Sequence, residues 1–174
     1  MYEPGSPLTP GVLIEKLGPF AGPAVWAYRD AVVSAACEAG VRVRANHDVG
    51  PVQIALTLLD VPELLIGWRV DHGWYFVRRH RRGEPPAIGP TRCRPGCDLL
   101  DRLLPEPMAV AHWLREITAG KWMGTEPALV TVTSEGLPAV LRGLRGYLSR
   151  AGTVGYDWSD RRPPPHRPSS TVAS

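Results

Sequence analysis

The order of apolar and polar residues divides the chain into segments of different period. Between residues 23 and 39, Val25, Tyr28, Val32, Ala35, Ala36 and Ala39 recur at three- and four-residue steps. That spacing lays one apolar stripe along an α-helix. Pro23 stands near its start and Gly40 just past its end, where a helix accepts each of them. Arg29, Asp30 and Glu38 are expected on its other sides. From Val41 the period falls to two. Val52, Ile54, Leu56 and Leu58 alternate with Gln53, Ala55 and Thr57, the pattern of a strand with one face in a core. Asp60 to Glu63, with Pro62 inside, reads as a turn, and Leu64, Ile66, Trp68 and Val70 then alternate again. Asp71-His72-Gly73 separates this run from a last strand, Trp74 to Arg78 or Arg79. A three-residue loop ending in Gly fits a type I turn followed by a left-handed residue. It pairs Val70 with Trp74 and turns Trp74 and Phe76 toward the core, whereas a slip of one residue would choose Tyr75 and Val77. Val41 to Arg44 can add a strand ahead of the meander.

The flanks are read from caps and breakers. Thr9-Pro10 opens a short helix through Leu17, which Gly18-Pro19 ends. Residues 80 to 97 are rich in Pro and Gly and have no apolar period, so they read as a long loop. Asp98 is a cap for a short helix through Leu104. Pro107 opens a helix to Ala119 with Val110, Trp113, Leu114 and Ile117 on one side and Gly120 as its stop. Val130 to Thr133 reads as a short strand. Ser134 is an N-cap for a helix that ends before Gly152 and carries Leu137, Val140, Leu141, Leu144, Tyr147 and Leu148 on one stripe. From Ser159 the chain turns to Pro163-Pro164-Pro165 and a Ser/Thr-rich end, a composition expected to be disordered. The expected fold is therefore α+β: an antiparallel meander of three to four strands packed by helices, in the order helix, meander, helix, helix. The organisation is a loose segment 1–22, one domain 23–152 and a tail 153–174.

Composition changes this picture in two places. Gly and Pro number 18 and 19 in 174 residues, so loops and tails take much of the length. The net charge is only +3, but it is uneven: Arg78, Arg79, Arg81, Arg82, Arg92 and Arg94 are opposed by Glu84 alone between residues 78 and 94. Such a run is either a solvated surface or a face toward a polyanion. No apolar run is long enough to span a membrane. The opening Met1-Tyr2-Glu3-Pro4 lacks the basic and apolar regions of a secretory signal, so a soluble cytoplasmic protein is expected.

Inspection excludes several chemistries. No two glycines lie two apart, Gly120-Lys121 is followed by Trp122, and there is no His-Glu-x-x-His, His-x-Glu, Gly-x-Ser-x-Gly or Asp-x-Asp. The dinucleotide fingerprint, the phosphate loop and the zinc-protease, deaminase and hydrolase signatures are thereby absent. No catalytic residue is nominated and no cofactor is expected. Cys93 and Cys97 lie four apart, a spacing found at structural zinc sites, with His80 or His72 as further ligands. The same pair beside Arg92 and Arg94 also suits a redox function, or simply two free thiols. Trp68, Trp74 and Phe76 form an aromatic group on the sheet, readable as core or as a surface for a protein partner. With Arg69, Arg78 and Arg79 nearby, base stacking is a further reading. Arg142, Arg145 and Arg150 lie opposite the apolar stripe of the last helix, suiting phosphates or anionic lipid.

The helix start Trp26-Ala27-Tyr28-Arg29-Asp30-Ala31-Val32, the turn Asp71-His72-Gly73-Trp74 and the helix opened by Pro105-Glu106-Pro107 resemble a family of small actinobacterial proteins of unknown function, over residues 24–119. The resemblance implies an α+β domain and brings no catalytic residues. More remotely, helix, meander, helix looks like secretion-chaperone-type binding proteins. The leading expectation is a non-enzymatic binding or regulatory domain that recognises a protein partner. A nucleic-acid-associated protein using residues 78–94 and the last helix is the second, and a zinc or thiol-redox protein is the third.

Overall fold

Thr9 caps the first helix. Its hydroxyl accepts a hydrogen bond from the Val12 amide at 3.3 Å, satisfying a donor that a first turn leaves unpaired. In this computed structural model, residues 9–71, 73–78, 87–88, 103–121 and 136–153 are described. Helix α1 runs Pro10–Leu17, and a single 3₁₀ turn at Gly18–Phe20 bends the chain into α2, Ala21–Glu38. The strands follow as β1 Val43–Ala45, β2 Gln53–Leu58, β3 Leu64–Arg69, β4 Gly73–Arg78 and β5 Ala87–Ile88. Two helices close the series, α3 Pro107–Thr118 and α4 Leu137–Thr153.

The fold is α+β with an antiparallel meander, as its periodicity predicts. The strands lie in the order β1-β2-β3-β4-β5, each hydrogen-bonded to its neighbour in sequence. The third strand of the set pairs Trp68 with Trp74 and Arg69 with Gly73. That register differs by two residues from the expected pairing of Val70 with Trp74. The shift is even, so the faces are unchanged and Trp74 and Phe76 still point to the core. Gly73 has φ near 73°, a conformation a side chain with a β-carbon resists, and it begins β4 rather than ending the loop. β5 is a correction to the reading of residues 80–97 as loop throughout: Ala87 and Ile88 pair with Phe76 and Tyr75. Two residues are too few to show a period.

One face of the sheet builds the core. Ile54, Leu56, Leu58, Leu64, Ile66, Trp68, Trp74 and Phe76 cluster with Tyr28 and Val32 of α2, Val110, Trp113 and Leu114 of α3, and Val140 and Leu144 of α4. Helix α2 contacts α1, α3, α4 and the first two strands. It is therefore buried on more sides than a single stripe predicts. Arg29 shows the difference: expected on an outer side, it is 4 % exposed. Its whole side chain is covered, and its guanidinium pairs with Asp30 Oδ1 at 2.9 Å, as a buried charge requires. Helix α4 ends at Thr153, one residue past Gly152. The expected Asp98 cap, the strand at Val130–Thr133, the Ser134 cap and the disordered tail fall outside the described residues.

Three polar atoms are carried into the aromatic centre of this core, and each has a partner. Tyr28 Oη donates to the Pro105 carbonyl at 2.8 Å and accepts from Trp74 Nε1 at 3.0 Å. Trp68 Nε1 donates to the Leu103 carbonyl. The rings of Tyr28 and Trp68 meet edge to face at 5.9 Å, an arrangement favoured by the ring quadrupoles. These bonds fasten the segment entering α3 to the sheet and to α2 together.

Candidate functional site

The aromatic group expected to meet a partner is the centre of the core. Trp68, Trp74 and Phe76 are 0 %, 1 % and 7 % exposed. Side chains this enclosed offer a partner no surface, so the assignment of partner contact to these three is corrected, and their nearness in space is a matter of packing.

The surface of interest is the reverse of the sheet. Alternation places Arg44, Thr57, Leu65 and Val77 on one rung across β1 to β4. Ala55, Gly67 and Tyr75 form the next. None of these residues belongs to the core cluster. Leu65, Tyr75 and Val77 are half-buried and Arg44 is exposed. Thr57 lies beneath them and bonds the Asn46 side chain at 3.3 Å. Among the described residues no carboxylate pairs with Arg44, while Arg69 is held by Asp71 at 2.8 Å.

Tyr75 organises this outer face. Its ring covers Gly67: a β-carbon built there would stand 2.3 Å from Tyr75 Cζ and 2.5 Å from its oxygen. Glycine at 67 is thus needed for space rather than for backbone angle. Burial, with a contribution from Asp71, pushes the Tyr75 hydroxyl above its ordinary value, so at neutral pH the ring presents a neutral donor. Replacing Gly67 by alanine is expected to evict the ring and cost about 1–3 kcal/mol. The same replacement made in a Tyr75→Ala background should cost clearly less, because the clash is gone. Urea unfolding of the four proteins of this double-mutant cycle measures the coupling, and additive costs would disprove the contact. The signal available in the sequence was the run of small residues, Ala55, Thr57 and Gly67, opposite the core positions.

The arginines divide into two groups. Arg142, Arg145 and Arg150 are exposed on α4. The Arg150 guanidinium carbon sits 5.4 Å from the Tyr147 ring centre, within cation–π range. Arg78 closes β4 opposite Leu64 in the backbone register. The side chain of Arg78, and Arg79, Arg81, Arg82, Arg92 and Arg94, lie outside the described residues. So do Cys93, Cys97, His80 and His72. The third cysteine, Cys37, is exposed on α2. Among the described residues no group of three or more His, Cys, Asp or Glu is placed to hold a metal, and no helix is long and apolar enough to cross a membrane.

No family model, curated protein or solved structure matches this chain.

Proposed function

We propose that this chain is a non-enzymatic binding domain whose partner is another protein, and that the partner meets the outer face of the sheet. The observation that carries the reading is the division of the sheet. Its inner face is consumed by the core, whereas Leu65, Tyr75 and Val77 stand outside the core cluster and keep part of their surface exposed. A tyrosine held rigidly over a glycine is a low-entropy anchor of the kind that dominates protein interfaces. Arg44, without a carboxylate of its own among the described residues, defines the chemistry of the occupant: an apolar ridge that covers Tyr75 and Val77, flanked by an acidic group. The proposed setting is the cytoplasm, in keeping with the composition.

The test places a photo-reactive benzoyl-phenylalanine at Val77 and irradiates the cells that make the protein. A discrete adduct with one other protein, weakened by Tyr75→Ala and by Arg44→Glu, is expected. The same probe at Ser34, exposed on α2, should not give it. Adducts confined to the chain itself, or an identical pattern from both positions, would overturn the reading.

A further inference from the structure

A second surface lies on the opposite, helical side of the molecule, on α4. Val140 and Leu144 of this helix are fully buried, and Leu141, Tyr147 and Leu148 pack against the same core. The arc that remains carries Arg142, Arg145 and Arg150 and is filled between them by Ala139, Gly143, Gly146 and Ser149. There is no Asp or Glu anywhere in α4, and among the described residues none of the three arginines has a carboxylate partner. Two turns of helix separate Arg142 from Arg150, roughly 12 Å along the axis. Among the described residues of the helix, those on this arc between them are short. A β-carbon at Gly146 would meet no atom within 4 Å, so an approaching surface can come close to the helix backbone.

We infer that this face of α4 is a contact for the phosphodiester backbone of nucleic acid, without base specificity. Three guanidinium groups without a carboxylate partner among the described residues, Arg150 lying over the Tyr147 ring, supply charge-assisted, forked donors for phosphate oxygens. A duplex offers about one negative charge per 1.7 Å of its axis, so each arginine has a phosphate within reach. An anionic membrane would use the same charges but also needs large apolar side chains on the binding side. In α4 those side chains are turned inward. Base readout needs side chains that reach base edges in a groove; the residues between the arginines on this arc are too short for it, and the arginines themselves are assigned to phosphate.

The inference goes beyond the protein-partner reading and uses a different surface. It is tested on the full chain with a fluorescent mixed-sequence DNA duplex, by anisotropy between 50 and 200 mM salt. Replacement of Arg142, Arg145 and Arg150 together by Gln should make the slope of log affinity against log salt less steep by about 2.7, at 0.9 per phosphate. Wild type should therefore lose about 40-fold more affinity than the variant across that range. The variant changes exposed positions only, and an unchanged melting temperature confirms that it folds. It should also retain the Val77 adduct, so failure of either proposal is visible separately. An unchanged slope in the variant overturns the inference, as does loss of binding only on replacing Arg78, Arg79, Arg81 and Arg82. Preference for phosphatidylserine vesicles over the duplex, abolished by the same three changes, overturns it in favour of a lipid surface.

Discussion

Replacing Trp68 by alanine is expected to remove about 3–5 kcal/mol of stability, a large share of the about 5–15 kcal/mol that holds a domain folded. The indole is fully enclosed and stands at the crossing of β3, α2 and the entry to α3. Its loss opens a cavity whose lining also loses contacts. Phenylalanine at 68 separates the two contributions. It keeps most of the volume and leaves the Leu103 carbonyl without the indole donor, a cost of about 1–3 kcal/mol. Chemical denaturation of both variants checks the order. A phenylalanine variant as unstable as the alanine one would show that the hydrogen bond, rather than packing, dominates.

Tyr28→Phe is expected to cost about 2–6 kcal/mol, although it removes one oxygen atom. Two buried groups are stranded by it, the Trp74 Nε1 donor and the Pro105 carbonyl acceptor, and each unsatisfied group costs about 1–3 kcal/mol. The same oxygen makes stability depend on pH at the alkaline end. Burial drives the Tyr28 hydroxyl far above the ordinary 10.0. Below that ordinary value both folded and unfolded chains hold the proton, and the contribution is whole. Above it the unfolded chain gives up its proton while the folded one keeps it. Stability then falls with rising pH by about 1.4 kcal/mol per unit for this residue. Tyr75 and Tyr147 are also raised by burial and add to the slope. Tyr28→Phe should therefore be less stable at neutral pH and yet show a shallower alkaline decline. An equal decline in both proteins would remove Tyr28 from the account.

The periods of 3.6 and 2 in the sequence were sufficient for α2, the meander, α3 and the stripe of α4, because each rests on many apolar positions at once. They were insufficient where one residue decides. Arg29 reads as polar and exposed, yet α2 is surrounded, and its charge is met by its neighbour Asp30. The β3–β4 register turned on whether Gly73 ended the loop or began the strand, and both readings give the same faces. The aromatic group was legible as an aromatic group but not as core or contact, since Trp is at home in either. On the outer face the pairing of Tyr75 with Gly67 is a consequence of register, which alternation alone does not supply.

The hydrogen bond between Tyr28 and Pro105 joins residues 77 positions apart, and this separation bears on the kinetics of folding. The strands of the meander meet their neighbours in sequence across short links, so their pairing closes small loops and is fast. The tie from α2 to the entrance of α3 closes a far longer loop than any strand pairing, and is expected to form after the folding barrier has been crossed. Interactions made that late govern the rate of escape rather than the rate of arrival. Tyr28 in this view is a latch on the native state, and removing its hydroxyl shortens the lifetime of the fold while leaving the speed of its assembly nearly as it was.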